Sequence, residues 1–333
     1  MRYLLPDAPP VRGALKIEPE DFVVEELPAY LPSGEGDHLY LWVQKRGRTT
    51  QEVAALLATT FGVREREVGH AGQKDRQAVT RQWFSLPRPR AEGALEASPE
   101  DEAVTILERR LHRNKLKTGH LRGNRFWLRL RGAAPDREAA EAILRDLERR
   151  GVPNYYGEQR FGRDGRNPEL GRQVLRGELQ PKRHLRKLYL SALQSSLFNA
   201  WLDARIDDGL LDVLVPGDLL QRRDGRGVFL SEEPAEDGAR LAAGEIDPTG
   251  PIFGPRMRQP GGEAAAREAR ILEASGLTMA DLEAGGRLTQ GTRRAARIGL
   301  SELELGVEGD DLQLAFTLPR GAYATVVTAQ LLR

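Results

Sequence analysis

The chain of 333 residues contains no cysteine. That excludes disulfides, thiolate zinc sites, iron–sulfur clusters and a cysteine nucleophile. Histidine is scarce too, with five scattered residues and no pair at the helical spacing of metal ligands. No apolar run approaches the roughly 18–20 residues of a membrane span. At the N-terminus, Met1-Arg2-Tyr3-Leu4-Leu5-Pro6 meets a proline before a secretory core could form. What remains is ordinary for a globular protein: 40% hydrophobic and 30% charged residues, too apolar for a disordered chain. The length suggests about two domains, each large enough for a core. The expectation is a cytoplasmic, metal-free protein.

The net charge of +1 hides two opposite biases. Between Glu108 and Arg131 there are nine Lys or Arg residues against one acid, and between Asp207 and Asp247 eleven acids against four arginines. A locally basic stretch is what a polyanion would feel. Only seven of the fifty basic residues are lysine. Arginine suits two-pronged phosphate contacts, although a biased base composition would produce the same excess.

The chain mixes strand and helix patterns without strict alternation. Gly13 to Leu27 reads as strand, turn and strand, with Pro19-Glu20-Asp21 as the turn. Residues His38 to Gln44 alternate Leu39, Leu41 and Val43 against Tyr40, Trp42 and Gln44, a half-buried strand. Thr49 followed by Glu52 has the form of a capping box opening a helix that runs to Gly62. Further strands are expected at Val79–Leu86, Ala103–Leu111 and Arg125–Leu130, and Pro135-Asp136 starts an amphipathic helix. Helical texture follows at 185–206, 263–275 and 278–284, around a 207–262 stretch rich in Gly, Pro and acids. Strands return at Leu303–Val307 and Leu312–Leu318, and a helix of about ten residues ends the chain. This pattern favours an α+β layered sheet with an inserted middle domain over a doubly wound fold.

Four segments could carry chemistry. In Gly69-His70-Ala71-Gly72-Gln73-Lys74-Asp75-Arg76, small residues surround one carboxylate, so a large ligand can approach Asp75 closely; a solvated turn is the bland alternative. The run from Arg109 to Arg131 interleaves cations with leucines and ends in Asn124-Arg125-Phe126-Trp127. That composition suits RNA, and equally a charged edge strand protected from pairing. Pro153 to Gly162 sets Tyr155, Tyr156 and Phe161 beside Arg160, for nucleic acid or for an ordinary domain junction. Tyr323 precedes a terminal apolar helix, as a boundary ring or a base-stacking one. The histidines read as structural or surface residues.

The motif from Ala71 to Trp83 strongly resembles the signature of the TruD-type tRNA pseudouridine synthases. Leu15-Lys16 through Val24, Gly151–Gly162 and Ser191–Asn199 are similar to the same family, in the same order. The similarity runs from about Gly13 to Leu331, with 207–290 the least distinctive part. It implies an α+β pseudouridine-synthase catalytic domain on a mixed, mainly antiparallel sheet, discontinuous over 1–150 and 300–333. An α/β TRUD domain would be inserted at 151–299. On the family pattern Asp75 falls on the catalytic aspartate, and Lys16 on a lysine supporting it. Phe22, Asn124 and Phe126 fall on the target nucleoside's pocket. Tyr323 stands where related sequences often carry phenylalanine, and its extra hydroxyl needs a partner if buried. Arg76, Arg113, Lys115, Lys117 and Arg160 are expected on the RNA backbone.

The implied reaction isomerises uridine in tRNA to pseudouridine, at position thirteen of the D-arm. Substrate and product share one formula, so no cofactor is expected, and no dinucleotide fingerprint or P-loop is present. Asp75 would act as a nucleophile or as a base. Either role needs it ionised in a largely dry pocket, and hence a cation beside it, Lys16 or Arg76. The partner is tRNA, with no membrane and no protein partner required, and the chain is expected to be a monomer. Two rivals are a non-catalytic RNA-binding protein and a nucleoside hydrolase.

Overall fold

The computed structural model describes residues 1–333 except Ala91, Glu92, Asp224, Arg226 and Arg333. The first part of the chain forms β1 (Phe22–Pro28), β2 (His38–Arg46), α1 (Thr50–Thr60), β3 (Gly69–His70), β4 (Val79–Pro87), β5 (Val104–His112), β6 (Leu121–Leu130) and α2 (Arg137–Arg150). The middle forms β7 (Val152–Pro153), α3 (Asn167–Leu175), α4 (Arg183–Asp207), β8 (Leu219–Arg222), β9 (Val228–Leu230), α5 (Pro234–Ala242), β10 (Ile246–Ile252), α6 (Gly262–Ala274), α7 (Met279–Ala284), β11 (Thr292–Ala295) and β12 (Arg297–Ile298). The hairpin β13 (Ser301–Glu308) and β14 (Asp311–Pro319) and the helix α8 (Ala324–Leu331) complete it.

One compact unit is built on Pro9–Glu141 and Leu300–Ala322. Its sheet has eight strands in the order β13-β14-β6-β1-β4-β2-β5, with β3 beside β4. Only β1 and β4 run parallel; the other neighbours are antiparallel. The sheet is mixed and mainly antiparallel, as the sequence leads one to expect. Side chains alternate, so one face carries Phe22 and Val24, Leu41 and Val43, Phe126 and Leu128, and Leu314 and Phe316. Over β2 and β4 that face is closed by α1, whose Val53 and Leu57 pack on Leu41, Val43, Phe84 and Leu86. Each such side chain contributes about 1.5–3 kcal/mol on burial. The capping box forms: the Thr49 hydroxyl accepts the Glu52 N–H at 3.2 Å and the Glu52 carboxylate accepts the Thr49 N–H at 2.6 Å.

The expected first strand differs. Ala14 makes only an isolated bridge to Arg131, and Pro19–Asp21 is a 3₁₀ turn. Two local features prevent a ladder there. Lys16 has φ 61°, a left-handed backbone that points its neighbours out of any strand. The Asp21 carboxylate accepts the Glu18 N–H at 2.8 Å and bonds Arg131 at 2.9 Å, which fixes the turn.

The other unit gathers Met1–Ala8, Ala142–Gly299 and Tyr323–Leu331. The chain therefore leaves the first unit within α2, and both terminal segments belong with the middle region. The sequence leads one to expect residues 1–8, 142–150 and 323–331 with the first unit instead. Hydrogen bonds hold these termini together: the Gln330 side chain accepts the Leu4 N–H at 2.9 Å and donates to the Arg2 carbonyl at 2.8 Å. The unit contains a four-stranded sheet, β11-β10-β8-β9, and the pair β12-β7. Residues 207–262 thus hold three strands and a helix that composition alone does not reveal. β10 reads Ile-Asp-Pro-Thr-Gly-Pro-Ile, an unpromising strand with two prolines. It pairs with β8 over 246–248 and with β11 over 249–252. Pro251 is in register with β11 alone, whereas Pro248 faces Leu220 of β8 and its carbonyl accepts the Ala296 N–H at 2.7 Å on the other side. Gly250 is required because a Cβ there would overlap the ring of Trp201 on α4.

Candidate active site

The loop between β3 and β4 carries Asp75, and a chain of buried polar contacts within the first unit sets its shape. Gln82 on β4 donates to the Gly72 carbonyl at 3.0 Å. It also accepts from the Thr50 hydroxyl at 3.1 Å, and that hydroxyl accepts the Lys74 N–H at 2.9 Å. The Lys74 ammonium meets the Glu26 carboxylate at 3.0 Å, both of them buried. Burial pushes the Glu26 carboxyl above its usual range, while Lys74 pulls it back. Lys45, fully buried, donates to the Asp75 carbonyl at 2.8 Å and to the Arg48 carbonyl at 2.6 Å.

On this scaffold the Asp75 side chain receives the Lys16 ammonium at 3.0 Å. The same ammonium lies 3.9 Å above the centre of the Phe22 ring, a cation–π contact. Lys16 adopts its left-handed backbone here at a cost of roughly 1–2 kcal/mol. Strain of that kind concentrates at functional sites. Of the two cations proposed for Asp75, the structure selects Lys16. Arg76 turns away to the Gly47 carbonyl at 3.3 Å and to Glu52 at 3.7 Å. The carboxylate keeps 35% of its side-chain surface exposed, so it does not sit in the dry pocket expected for it.

Phe22 and Phe126 meet edge to face at 6.1 Å, and Phe126 stacks on Phe316 at 5.3 Å. Both Phe22 and Phe126 are nearly fully buried. They form the floor beneath Lys16 and offer no open face to a base. Asn124 lies on β6 in register with Glu26 of β1 and Leu318 of β14. Its buried Oδ1 has no hydrogen-bond partner among the described residues.

The remaining expected residues divide between the units. Arg113, Lys115 and Lys117 share the loop between β5 and β6. Arg113 pairs with Glu35, Lys115 donates to the Arg66 carbonyl at 2.7 Å, and Lys117 is exposed. β5 itself is an edge strand of the large sheet, which agrees with the edge-strand reading of the basic run. Arg160 and Tyr323 belong to the other unit. Arg160 bonds the hydroxyls of Ser191 and Ser195 and lies 5.4 Å from the centre of the Tyr156 ring. Arg294 lies 4.1 Å from the centre of the same ring. Tyr323 is partly exposed and caps α8, its carbonyl accepting the Val326 N–H. Tyr155 is core: its hydroxyl donates to Asp203 at 2.6 Å and accepts the Arg2 N–H at 3.1 Å.

Sequence reasoning missed Lys45, Glu26, Thr50 and Gln82. A signal was present in the alternation. Lys45 is next in phase after Leu39, Leu41 and Val43, and Glu26 is next after Phe22 and Val24. A charged residue in the buried phase of a strand marks a polar site within the core. A cavity of about 540 Å³ lined by Trp127, Arg129, Glu304 and Glu308 shares no residue with the Asp75 cluster. Its acidic lining does not suit RNA.

The family model described as tRNA pseudouridine synthase D (TruD) matches residues 1–182 and 179–331. The chain belongs to the tRNA pseudouridine synthase D family. A family member of that name from Anaeromyxobacter dehalogenans (strain 2CP-C) is 48% identical over 337 residues, spanning 99% of this chain and 95% of its own. One from Thermus thermophilus is 44% identical, over 99% of this chain and 92% of its own. A solved structure from Methanosarcina mazei under the same family description matches with a TM-score of 0.81 and 22% identity, over 100% of this chain and 96% of its own. That likeness establishes a shared fold. Membership makes the chain a pseudouridine synthase, an isomerase that converts uridine in tRNA to pseudouridine.

Proposed function

We propose that this tRNA pseudouridine synthase acts on uridine-13 of the D-arm, with Asp75 as the reacting carboxylate. The supporting observation is the 3.0 Å contact from Lys16 to Asp75 above the Phe22 ring. The reaction breaks the N1–C1′ bond, turns the uracil and joins C5 to C1′. The proton leaves C5 and one is gained at N1, so atoms and charge balance. Asp75 supplies a carboxylate for attack on sugar or base, or for removal of a sugar proton, and Lys16 holds its side chain by the 3.0 Å contact. The free Asn124 oxygen suits an N–H of the uracil.

A uridine stacked in a helix is out of reach, so it must be extruded at a cost of a few kcal/mol. Arg76, Arg113, Lys115, Lys117 and Arg160 would hold the phosphates in register, and Tyr323 would stack on the RNA. Residues 1–150 and 300–333 serve as the catalytic domain and residues 151–299 as the inserted TRUD domain. The enzyme works in the cytoplasm as a monomer without a protein partner.

The test is a carbodiimide stop map of an unmodified tRNA transcript after incubation with enzyme. A single new stop at position thirteen, with the RNA mass unchanged, is the expected result. A stop elsewhere would remove the D-arm assignment, and loss of a base mass would indicate hydrolysis. Binding should also weaken steeply with salt, since about six phosphate contacts imply a strong dependence.

A further inference from the structure

We propose that Lys45 is a positioning residue for the reaction, holding Asp75 by its main-chain carbonyl and needed in its protonated form. The proposal rests on the assignment of Asp75 as the reacting group. Lys45 closes the apolar phase of β2, after Leu39, Leu41 and Val43, where an apolar side chain would continue the core. Its ammonium is fully buried and donates to two main-chain carbonyls, those of Asp75 and Arg48. No carboxylate lies within ion-pair distance of it among the described residues. A buried cation without a counter-ion is costly for a core, so a purely structural site would do better with an apolar residue. What it gains here is specific. It ties the Arg48 turn to the one residue that carries the reacting carboxylate, and brings a positive charge behind it.

The neighbours explain its titration. Asp75 and Glu52 favour the charged form, Lys74 opposes it, and burial outweighs them all, pulling the Lys45 ammonium down to about 8. The other charges around the loop are engaged elsewhere. Lys16 is on Asp75, Lys74 on Glu26, Arg48 on Asp101 and Arg76 on Glu52. Activity therefore falls as pH rises through about 8. Stability moves the other way. The unfolded lysine titrates near about 10.4, so between the two values the unfolded chain binds more protons and stability rises with pH. A loss of rate in that window is then not unfolding.

The experiment measures single-turnover rate against pH, with tRNA binding and thermal stability followed at each pH. Wild type should show an alkaline limb near pH 8 without loss of stability or binding. Lys45→Met should slow the chemical step by about 10²-fold, the effect of misplacing a reacting group by about 1 Å. Its KM for tRNA should be unchanged and the limb should disappear. The absence of cysteine permits a rescue: Lys45→Cys, alkylated with bromoethylamine in denaturant because the site is buried and then refolded, regenerates an amine more acidic than lysine. Rate should return, with the limb moved to lower pH. A wild-type profile flat up to the ordinary lysine range would overturn the proposal, whether or not the variants fold. So would a Lys45→Met enzyme that turns over normally, or one that is slow with the wild-type limb intact. Asp75→Asn separates the two levels. If it stays active the assignment of Asp75 fails, whereas an inactive Asp75→Asn beside a normal Lys45→Met sinks only the role of Lys45.

Discussion

The two units bury charge in opposite ways. In the unit of the middle region, Arg205 grips Asp218 with Nη1 and Nη2 at 2.9 and 2.7 Å, while Nε donates to the Leu210 carbonyl and Nη2 also to that of Val213. Arg293 meets Glu268 at 2.6 Å, and Arg297 and Arg223 share Asp247 at 2.6 and 2.7 Å. Arg205, Arg293 and Arg223 make two-pronged pairs, while Arg297 reaches Asp247 through Nε alone and gives its other nitrogens to the Arg150 and Leu241 carbonyls. Nearly every donor is used, and the pairs staple loops to helices and strands. In the unit of the large sheet the buried cations are lysines, each with fewer partners, and they converge on the loop of Asp75. A satisfied guanidinium–carboxylate pair fixes a fold. A sparsely compensated lysine keeps a charge in play beside a site. The difference separates structural from functional burial more clearly than the degree of burial does.

The largest effect that would test this contrast is Asp75→Asn. It should lower isomerisation by roughly 10⁴-fold, the upper range for an essential acid–base group, with the urea midpoint scarcely moved. Tritium release from C5-labelled uridine measures the first and equilibrium unfolding the second. Arg205→Ala should do the reverse. Leaving Asp218 buried and unpaired costs about 3–5 kcal/mol, read as a lower urea midpoint, while the folded fraction turns over as before. Gly250→Ala sharpens the comparison within the middle unit, since the new methyl meets the Trp201 ring. Overpacking of that sort costs about 1–3 kcal/mol and should appear as a lower melting temperature. The smallest effect is Thr49→Ala, where losing the cap of α1 should cost about 1 kcal/mol, seen as a slight shift in chemical denaturation.

Much of the fold is legible in the residues. The alternation from Leu39 to Val43 marks β2, Thr49 and Glu52 mark the start of α1, and the long apolar pattern of 185–206 marks α4 to within two residues at its start. The Ala71–Trp83 motif points to Asp75, and Lys16 is named from its own segment. The strands of 207–262 were not legible, because β10 is built from prolines and a glycine that propensity assigns to loops. Its ladder passes from β8 to β11 partway along the strand, and pairing is a property of neighbours. The grouping of the two termini with the middle unit was equally hidden. It rests on hydrogen bonds between Arg2 or Leu4 and Gln330, which no local pattern records.

By itself the sequence determined the family, the reaction class and the carboxylate on which the chemistry is proposed, since these are written in short contiguous motifs and in residue types. Only the tertiary structure decided which cation faces Asp75, how exposed that carboxylate is, and that Lys45, two residues beyond Val43 on β2, is drawn beneath its backbone. Such features depend on side chains far apart in the chain meeting in a low-dielectric interior. There the cost of an unpaired charge is set by distance and burial, which composition and spacing do not encode.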